Sequence, residues 1–160
     1  MQTSKRATWK AWQLGLATTG GLLLLSAAAS PAQTKDLGSL MKATGLKYAM
    51  QDESTACLLM RGKAGLHPVI VRVLKGRLAV MCEIVAAKAD EPPTALWKKL
   101  AEANAAPRLA HAGLQDGVFY AVTGAALEDV DAKPLKAMIT DVAALTDELQ
   151  PVLKDLLSVE

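Results

Sequence analysis

The sequence predicts an α+β protein in which helices pack on one antiparallel sheet, and three observations support this prediction. Apolar residues recur at helical spacing in three segments of the chain. Between these segments they alternate with a period of two, as in strands. Two dipeptides, Lys75-Gly76 and Asp116-Gly117, are typical of the two-residue turns that join antiparallel strands. The predicted order is α-β-β-β-α-β-β-α, in a single domain over residues 33–160.

Residues 1–32 show the three-part pattern of a secretory signal peptide. Three basic side chains within the first ten residues precede an apolar run over residues 14–29, and small residues follow. Cleavage after Ala29 or after Ala32 fits the preference for small residues. The run is shorter than the roughly 20 residues that a membrane-spanning helix needs. We therefore expect export to the periplasm or the extracellular space, with only transient membrane contact. An uncleaved N-terminal anchor is the alternative.

The first helix is predicted within residues 33–47, with Thr34 as its N-cap and Gly45 at its end. A strand over residues 55–61 follows, and residues 47–51 are compatible with a continuation of the same strand. The apolar positions of the helix recur at helical spacing and should face the core: Leu37, Leu40, Met41 and Leu46.

The clearest unit is a hairpin of two strands, residues 67–74 and 78–85, on either side of the Lys75-Gly76 turn. A two-residue turn fixes the register, and one face then carries three opposed apolar pairs that must be buried: Val73 with Leu78, Val71 with Val80, and Val69 with Cys82. The opposite face is more apolar than a solvated sheet requires, so either the first or the last helix covers it or a partner binds there. The predicted partner-binding residues on this face are Ile70, Arg72, Leu74 and Met81.

A second hairpin is predicted from residues 108–114 and 118–123, which flank Asp116-Gly117. Its turn should place Leu114 opposite Phe119.

Two further helices complete the predicted fold. One covers residues 94–103 and follows Pro92-Pro93, because proline is tolerated where a helix begins. The last begins after Asp131 as N-cap, and Pro151 within it should bend it. Apolar residues of this last helix alternate in steps of three and four and define one buried face: Leu135, Met138, Val142, Leu145, Leu149, Val152 and Leu156.

Four stretches of the chain together match a known fold pattern. They are residues 46–48, the hairpin over residues 69–85, residues 93–104 with their Leu-x-x-x-Asn ending, and the last helix with its proline. With the element order, they resemble the type III secretion chaperone-like fold, both the Tir-chaperone group and, more closely, the YbjN-type family of bacterial sensory transduction regulators. The resemblance covers residues 35–158 and implies a non-enzymatic protein-binding module, often dimeric. A signal peptide departs from secretion chaperones, which act in the cytoplasm, so the chain resembles an exported variant.

The histidines and cysteines form no recognisable catalytic or metal-binding pattern. His67 and His111 fall in predicted strands without a nucleophile frame, and we expect both to be ordinary strand-surface histidines. Cys57 and Cys82 fall on the first and third predicted strands, about 9.6 Å apart, whereas a disulfide needs Cα atoms within about 7 Å. We expect two buried free thiols. No catalytic residue, metal ligand or cofactor-binding residue is predicted.

The formal charge of +2 divides into +3 before residue 33 and −1 over residues 33–160. A slightly acidic body with four aromatic side chains does not fit a nucleic-acid-binding protein. Residues 35–99 carry 11 Lys and Arg against 6 Asp and Glu, and residues 100–160 carry 4 against 10. These opposite charges can complement each other within one molecule or between molecules.

The sequence therefore predicts an exported, non-enzymatic protein-interaction module, regulatory or chaperone-like, that needs no cofactor. Its partner is an unidentified protein or peptide, and a homodimer is an open option. The alternative is a periplasmic protein that binds a small ligand or lipid in a pocket between the helices and the sheet, because the core is aliphatic and poor in aromatic residues. An enzyme would need convergent polar groups that the sequence does not show.

Overall fold

The computed structural model describes residues 35–87 and 93–158 of the chain. The predicted signal peptide, residues 1–32, lies outside the described residues, and so does Thr34. Within the described part, no helix combines the length and the hydrophobicity needed to cross a membrane.

The described residues form an α+β fold with one antiparallel sheet of six strands, in the order β1-β2-β3-β4-β6-β5. The strands are β1 (Ala49–Asp52), β2 (Thr55–Arg61), β3 (Leu66–Leu74), β4 (Arg77–Ala86), β5 (His111–Gln115) and β6 (Val118–Ala126). The helices are α1 (Leu37–Thr44), α2 (Thr94–Asn104) and α3 (Ala132–Ser158), and a short 3-10 turn covers Leu127–Asp129. The predicted fold class and element order are confirmed, and Ala49–Asp52 forms a short strand of its own, β1, where a continuation of the next strand over residues 47–51 was considered.

Helix α1 begins two residues later than its predicted N-cap implies. The Asp36 side chain accepts a hydrogen bond of 2.8 Å from the backbone N–H of Ser39, so Asp36 is the N-cap and the prediction of Thr34 is wrong. A carboxylate caps as well as a hydroxyl does because either accepts from the unpaired N–H groups of the first turn. Gly45 ends the helix as predicted, in the left-handed conformation with φ of 70°.

The hairpin of β3 and β4 has the predicted register, which sets both faces of the sheet. Val69 pairs with Cys82, Val71 with Val80, and Val73 with Leu78. Both turn residues have positive φ, 50° at Lys75 and 74° at Gly76, as a right-twisted two-residue hairpin requires. The β5–β6 hairpin repeats this arrangement at Asp116 and Gly117 and pairs Leu114 with Phe119, as predicted.

Helix α3 packs across β4, β6 and β3, and α1 and α2 lie beside it. Its predicted apolar face is buried from Leu135 to Leu149, but Val152 is exposed and Leu153 is buried in its place. The correction follows from helix geometry: a strict seven-residue repeat drifts by about 20° per heptad on a 3.6-residue helix. The helix continues on both sides of Pro151, and the bend expected there stays a prediction.

Asn104, at the end of α2, binds the outer edge of the sheet. Its Oδ1 accepts from the backbone N–H of Ala112 at 2.7 Å, and its Nδ2 donates to the carbonyl oxygen of Ala112 at 2.8 Å. Ala112 lies in β5, the last strand of the sheet. The asparagine therefore satisfies backbone groups that would otherwise face solvent at an open strand edge.

Candidate interaction surfaces

The four predicted partner-binding residues lie on one face of the sheet, opposite the helices, which we call the outer face. Ile70 pairs directly with Met81 on the neighbouring strand, and both side chains are half-buried. Arg72 lies one step further along β3 and is exposed. Leu74 lies at the hairpin end, 56% exposed, and pairs with Arg77. The structure thus places Ile70, Arg72 and Met81 together and Leu74 at the margin.

The strand pairing extends this group into a row that crosses the sheet. Cys57 of β2 pairs with Ile70, and Val122 of β6 pairs with Met81. Cys57 is half-buried and Val122 is 37% exposed. The sequence predicted neither residue for this face. Cys57 was expected to be a buried thiol, and Val122 joins the row because β4 pairs with β6 rather than with β5.

The outer face carries further exposed apolar surface. Leu59 of β2, 66% exposed, lies two residues beyond Cys57 and pairs with Pro68. No helix among residues 35–87 and 93–158 packs on this face, since the core side chains of the strands all point to the other one. The alternative that α1 or α3 covers the outer face is therefore wrong.

The two cysteines are free, as predicted, but only one is buried. Cys82 points into the core, whereas Cys57 is half-buried on the outer face. They lie on opposite faces of the sheet as well as two strands apart. Burial raises the pKa of the Cys82 thiol, which disfavours the nucleophilic thiolate.

His67 is not the surface histidine that the sequence predicted. Its side chain is 1% exposed, and its Nε2 lies 2.8 Å from Oδ1 of Asp147 on α3. The same carboxylate accepts from the backbone N–H groups of Lys63 at 2.9 Å and Ala64 at 2.6 Å. Asp147 therefore ties the β2–β3 turn and the start of β3 to the long helix. His111, in contrast, is exposed on β5 as predicted.

The contact with Asp147 restricts which residue can occupy position 62 in the β2–β3 turn. A Cβ atom on Gly62 would overlap the carboxylate of Asp147, so a larger residue there would displace the carboxylate from its hydrogen bonds. The hydrogen bond with His67, followed by those from Ala64 and Lys63, lowers the pKa of Asp147 from its usual 3.8 to about 2. The carboxylate is thus held ionised.

The geometry of His67 and Asp147 serves packing and gives no catalytic constellation. The cavity beside Asp147 is lined by Lys63, Ala64, Ala144, Glu148 and Pro151, none of which is a hydroxyl or thiol nucleophile. Within the described residues, no three His, Cys, Asp or Glu side chains come close enough to hold a metal ion.

The contribution of Asp147 to stability is expected to disappear in acid. Because its folded pKa of about 2 lies below the usual 3.8, the ionised carboxylate stabilises the fold above about pH 4, and this stabilisation is lost as the pH falls through 2. Urea unfolding of the wild type and of Asp147→Asn between pH 7 and pH 2 measures it. The difference between their midpoints should be full at pH 7 and should close toward pH 2. A difference that stays constant with pH would contradict the assignment.

Ion pairs between the basic and the acidic halves of the sequence are few in the described residues. Two pairs join the halves, Lys35 with Asp131 at 2.9 Å and Lys99 with Glu102 at 2.8 Å. Arg108 contacts Glu148 within the acidic half. The basic side chains around the central hairpin form no ion pair in the part of the chain that the structure describes: Arg61, Lys63, Arg72, Lys75 and Arg77. Their charge remains available at the surface.

Comparison with solved structures identifies the architecture. A chain of the HopA1–SchA chaperone–effector complex matches with a TM-score of 0.53 at 12% identity, over 71% of this chain and 92% of that one. A chain of the ExsC–ExsE complex matches with a TM-score of 0.51 at 16% identity, over 74% and 97%. The fold is type III secretion chaperone-like.

A third match is consistent with this. A chain of the heterodimeric ExoU–SpcU complex, from the type III secretion system of Pseudomonas aeruginosa, matches with a TM-score of 0.50 at 16% identity, over 78% of this chain and 99% of that one. No family model and no curated protein sequence matches the chain. At these identities the likeness establishes the fold alone.

Proposed function

We propose that the chain is an exported, non-enzymatic module that binds a segment of a partner protein on its outer face. The observation that carries the proposal is the row of Cys57, Ile70, Met81 and Val122, which crosses four strands and is covered by no described helix. Apolar patches of this kind mark interaction sites, because a monomer gains nothing by exposing them. The similar structures support it, since each is a complex of two proteins.

The sheet suits an apolar partner with some acidic character. Arg72 lies beside the row, exposed and without an ion pair among the described residues. A segment that buries apolar side chains on Ile70 and Met81 could place a carboxylate near this guanidinium.

The alternative function, binding of a small ligand or lipid in a pocket between the helices and the sheet, has less support. The described side chains in that layer, such as Phe119 and Leu145, are fully buried.

Photo-crosslinking in intact cells tests the proposal. The full chain carries p-benzoylphenylalanine in place of Met81, and the control carries it in place of Val152, an exposed apolar position on the opposite layer. A partner should be captured at position 81 and not at position 152. Equal capture at both positions, or none at 81, would overturn the outer face as the site. An adduct of two copies of this chain would replace the separate partner with a homodimer.

The same captured chain tests export. The basic, apolar and small-residue segments of residues 1–32 support cleavage by a signal peptidase. N-terminal sequencing should therefore begin at Ser30 or Gln33, in the periplasmic or extracellular fraction. A chain that begins at its first residue in the cytoplasmic fraction would contradict export.

A further inference from the structure

Two oppositely charged side chains flank the apolar row of the outer face. This row, which we call the central row, consists of Cys57, Ile70, Met81 and Val122. Arg72 lies two residues from the row on β3, and Glu83 lies two residues from it on β4. Because β3 and β4 are antiparallel, the two side chains lie on opposite sides of the row, each about 7 Å from it. Both are exposed, and neither forms an ion pair in the described part of the chain.

This placement makes the outer face complementary to itself. Two sheets that pack face to face lie about 10 Å apart, with strand directions within about 30° of each other. If the two-fold axis of such a pair runs along the central row, each residue faces the position equally far from the row on the same strand of a second copy. Arg72 then faces Pro68 of the second copy, one strand step of about 4.8 Å from its Glu83. The symmetry makes this contact twice.

The same charges disfavour a two-fold axis that runs along the strands. That axis would keep the Arg72 side of one copy on the Arg72 side of the other, so the two guanidinium groups would approach each other. The two Glu83 carboxylates would approach each other in the same way on the opposite side of the row. Juxtaposed like charges oppose association, so the charge distribution favours the axis along the central row.

Side-chain sizes agree with this axis. Tyr120 and Gly124 each lie two residues from Val122 on β6, so the phenol ring of one copy faces the position without a side chain in the other. A Cβ atom on Gly124 would lie 2.9 Å from the backbone oxygen of Leu78, which keeps this position small. At the two ends of β3, Leu66 and Leu74 are 55% and 56% exposed, and each covers the other across the axis.

The other charged strand residues of the outer face lie at its margins. Arg61 lies four residues from the central row on β2 and faces Glu53 of the second copy, in the β1–β2 turn. Arg77 lies at the exposed end of β4, where its long side chain can remain in solvent. Neither forms an ion pair among the described residues. The margins therefore do not oppose the contact at Arg72 and Glu83.

Within one copy, Arg72 acts on Asp52 only from a distance. Asp52 accepts hydrogen bonds from the backbone N–H of Ser54 at 2.7 Å and from its hydroxyl at 2.8 Å. These hydrogen bonds are the main cause of the lowered pKa of Asp52, and the charge of Arg72 contributes least. No ion pair joins Asp52 to Arg72 in the described part of the chain. The guanidinium can therefore pair with a carboxylate of a second copy.

From these contacts we infer that two copies of this chain cover each other's outer face when no partner segment is bound, with the two-fold axis along the central row. The face measures about 24 Å across the sheet and about 27 Å along β3, or roughly 650 Å² per copy. A standard interface buries about 800 Å² per partner, so the dimer should dissociate readily. The inference rests on the proposed function, because the second copy and the partner segment use the same row and exclude each other.

Charge-reversed variants test the arrangement by sedimentation velocity. The purified chain should form a reversible dimer, and Arg72→Glu and Glu83→Arg should each weaken dimer formation by about tenfold or more. An equimolar mixture of these two variants should form a heterodimer, because both contacts then regain opposite charges. Lys136→Glu and Asp155→Arg reverse the same charges on α3 and should leave the dimer unchanged. A mixture that stays monomeric, or single variants that dimerise as well as the wild type, would overturn the inference.

Cys57 reports the position of the axis. Because it lies on the central row, it faces Cys57 of the second copy across the spacing of about 10 Å between stacked sheets. That spacing is too large for a direct disulfide, so a short bifunctional maleimide should link the two thiols. Cys57→Ser leaves only the buried Cys82 and should give no linked dimer. A wild-type chain that is not linked would exclude an axis along the central row.

The inference and the proposed function can fail separately, because the purified chain contains no partner. A purified chain that stays monomeric at every concentration would overturn the inference, while a partner captured at position 81 in cells would still support the proposed function. A purified dimer with only two-copy adducts at position 81 would support the inference and contradict a separate partner.

Discussion

Replacing His67 with alanine is expected to lower the free energy of unfolding by about 3 kcal/mol. The imidazole is among the largest fully buried side chains, so its removal leaves a cavity between β3 and α3. It also removes the side-chain hydrogen-bond partner of Asp147, which then holds the β2–β3 turn through backbone N–H groups alone. The loss should appear in urea unfolding at pH 7, followed by circular dichroism.

His111→Ala is the matched control, because it removes the same side chain from an exposed position on β5. Its effect should stay within about 0.5 kcal/mol. Equal losses for the two variants would show that the contact with Asp147 does not stabilise the fold. A His67→Ala chain too unstable to purify would agree with the prediction, and His67→Gln, which keeps a hydrogen-bonding group, should then be recovered with an intermediate midpoint.

The sequence could not show this contact, because it joins residues 80 positions apart. A single histidine next to Pro68 looks like many exposed strand histidines, and Asp147 looks like one of the solvent-facing acids of an amphipathic helix. The only local signal is Gly62, whose missing Cβ leaves room for the carboxylate. That signal has meaning only when the helix is already placed over the turn.

Local patterns, in contrast, predicted most of the sheet. The Lys75-Gly76 turn fixes the pairing of Val69 with Cys82, because a two-residue turn leaves one register that keeps the apolar positions on one face. The pairing of β4 with β6 is not local, and Val122 was missed because its place in the outer row depends on that pairing. Cys57 was missed for another reason, since it was expected to be a buried thiol. The sequence therefore predicted the central residues of the candidate surface, Ile70 and Met81, and missed the residues on either side of them.

A partner segment that extends beyond the outer face passes one of the two edges of the sheet. The two edges differ. At β5, Asn104 already occupies the backbone groups of Ala112, whereas all four residues of β1 are exposed. A segment that leaves the outer face therefore meets a more open edge at β1 than at β5.

Met81→Arg is expected to reduce partner capture by about a hundredfold while the chain stays folded. Met81 is half-buried at the centre of the row, between Ile70 and Val122, so a guanidinium there breaks the apolar surface where a partner must be desolvated. The free chain tolerates the change, because the long side chain can reach solvent from an uncovered face. Partner capture is measured by affinity pull-down from crosslinked cells, and folding by the urea midpoint.

Val152→Arg is the matched control, since it adds the same charge at an exposed apolar position on α3. Val152→Arg should retain partner capture. Ile70→Ala should reduce capture less than Met81→Arg does, because the alanine removes contact area without adding a charge. The ranking of the three variants separates recognition from stability. A general destabilisation would reduce partner capture in proportion to the fall in the urea midpoint. Loss of the binding surface would reduce partner capture at an unchanged midpoint. Full capture by Met81→Arg would exclude the outer face as the partner site.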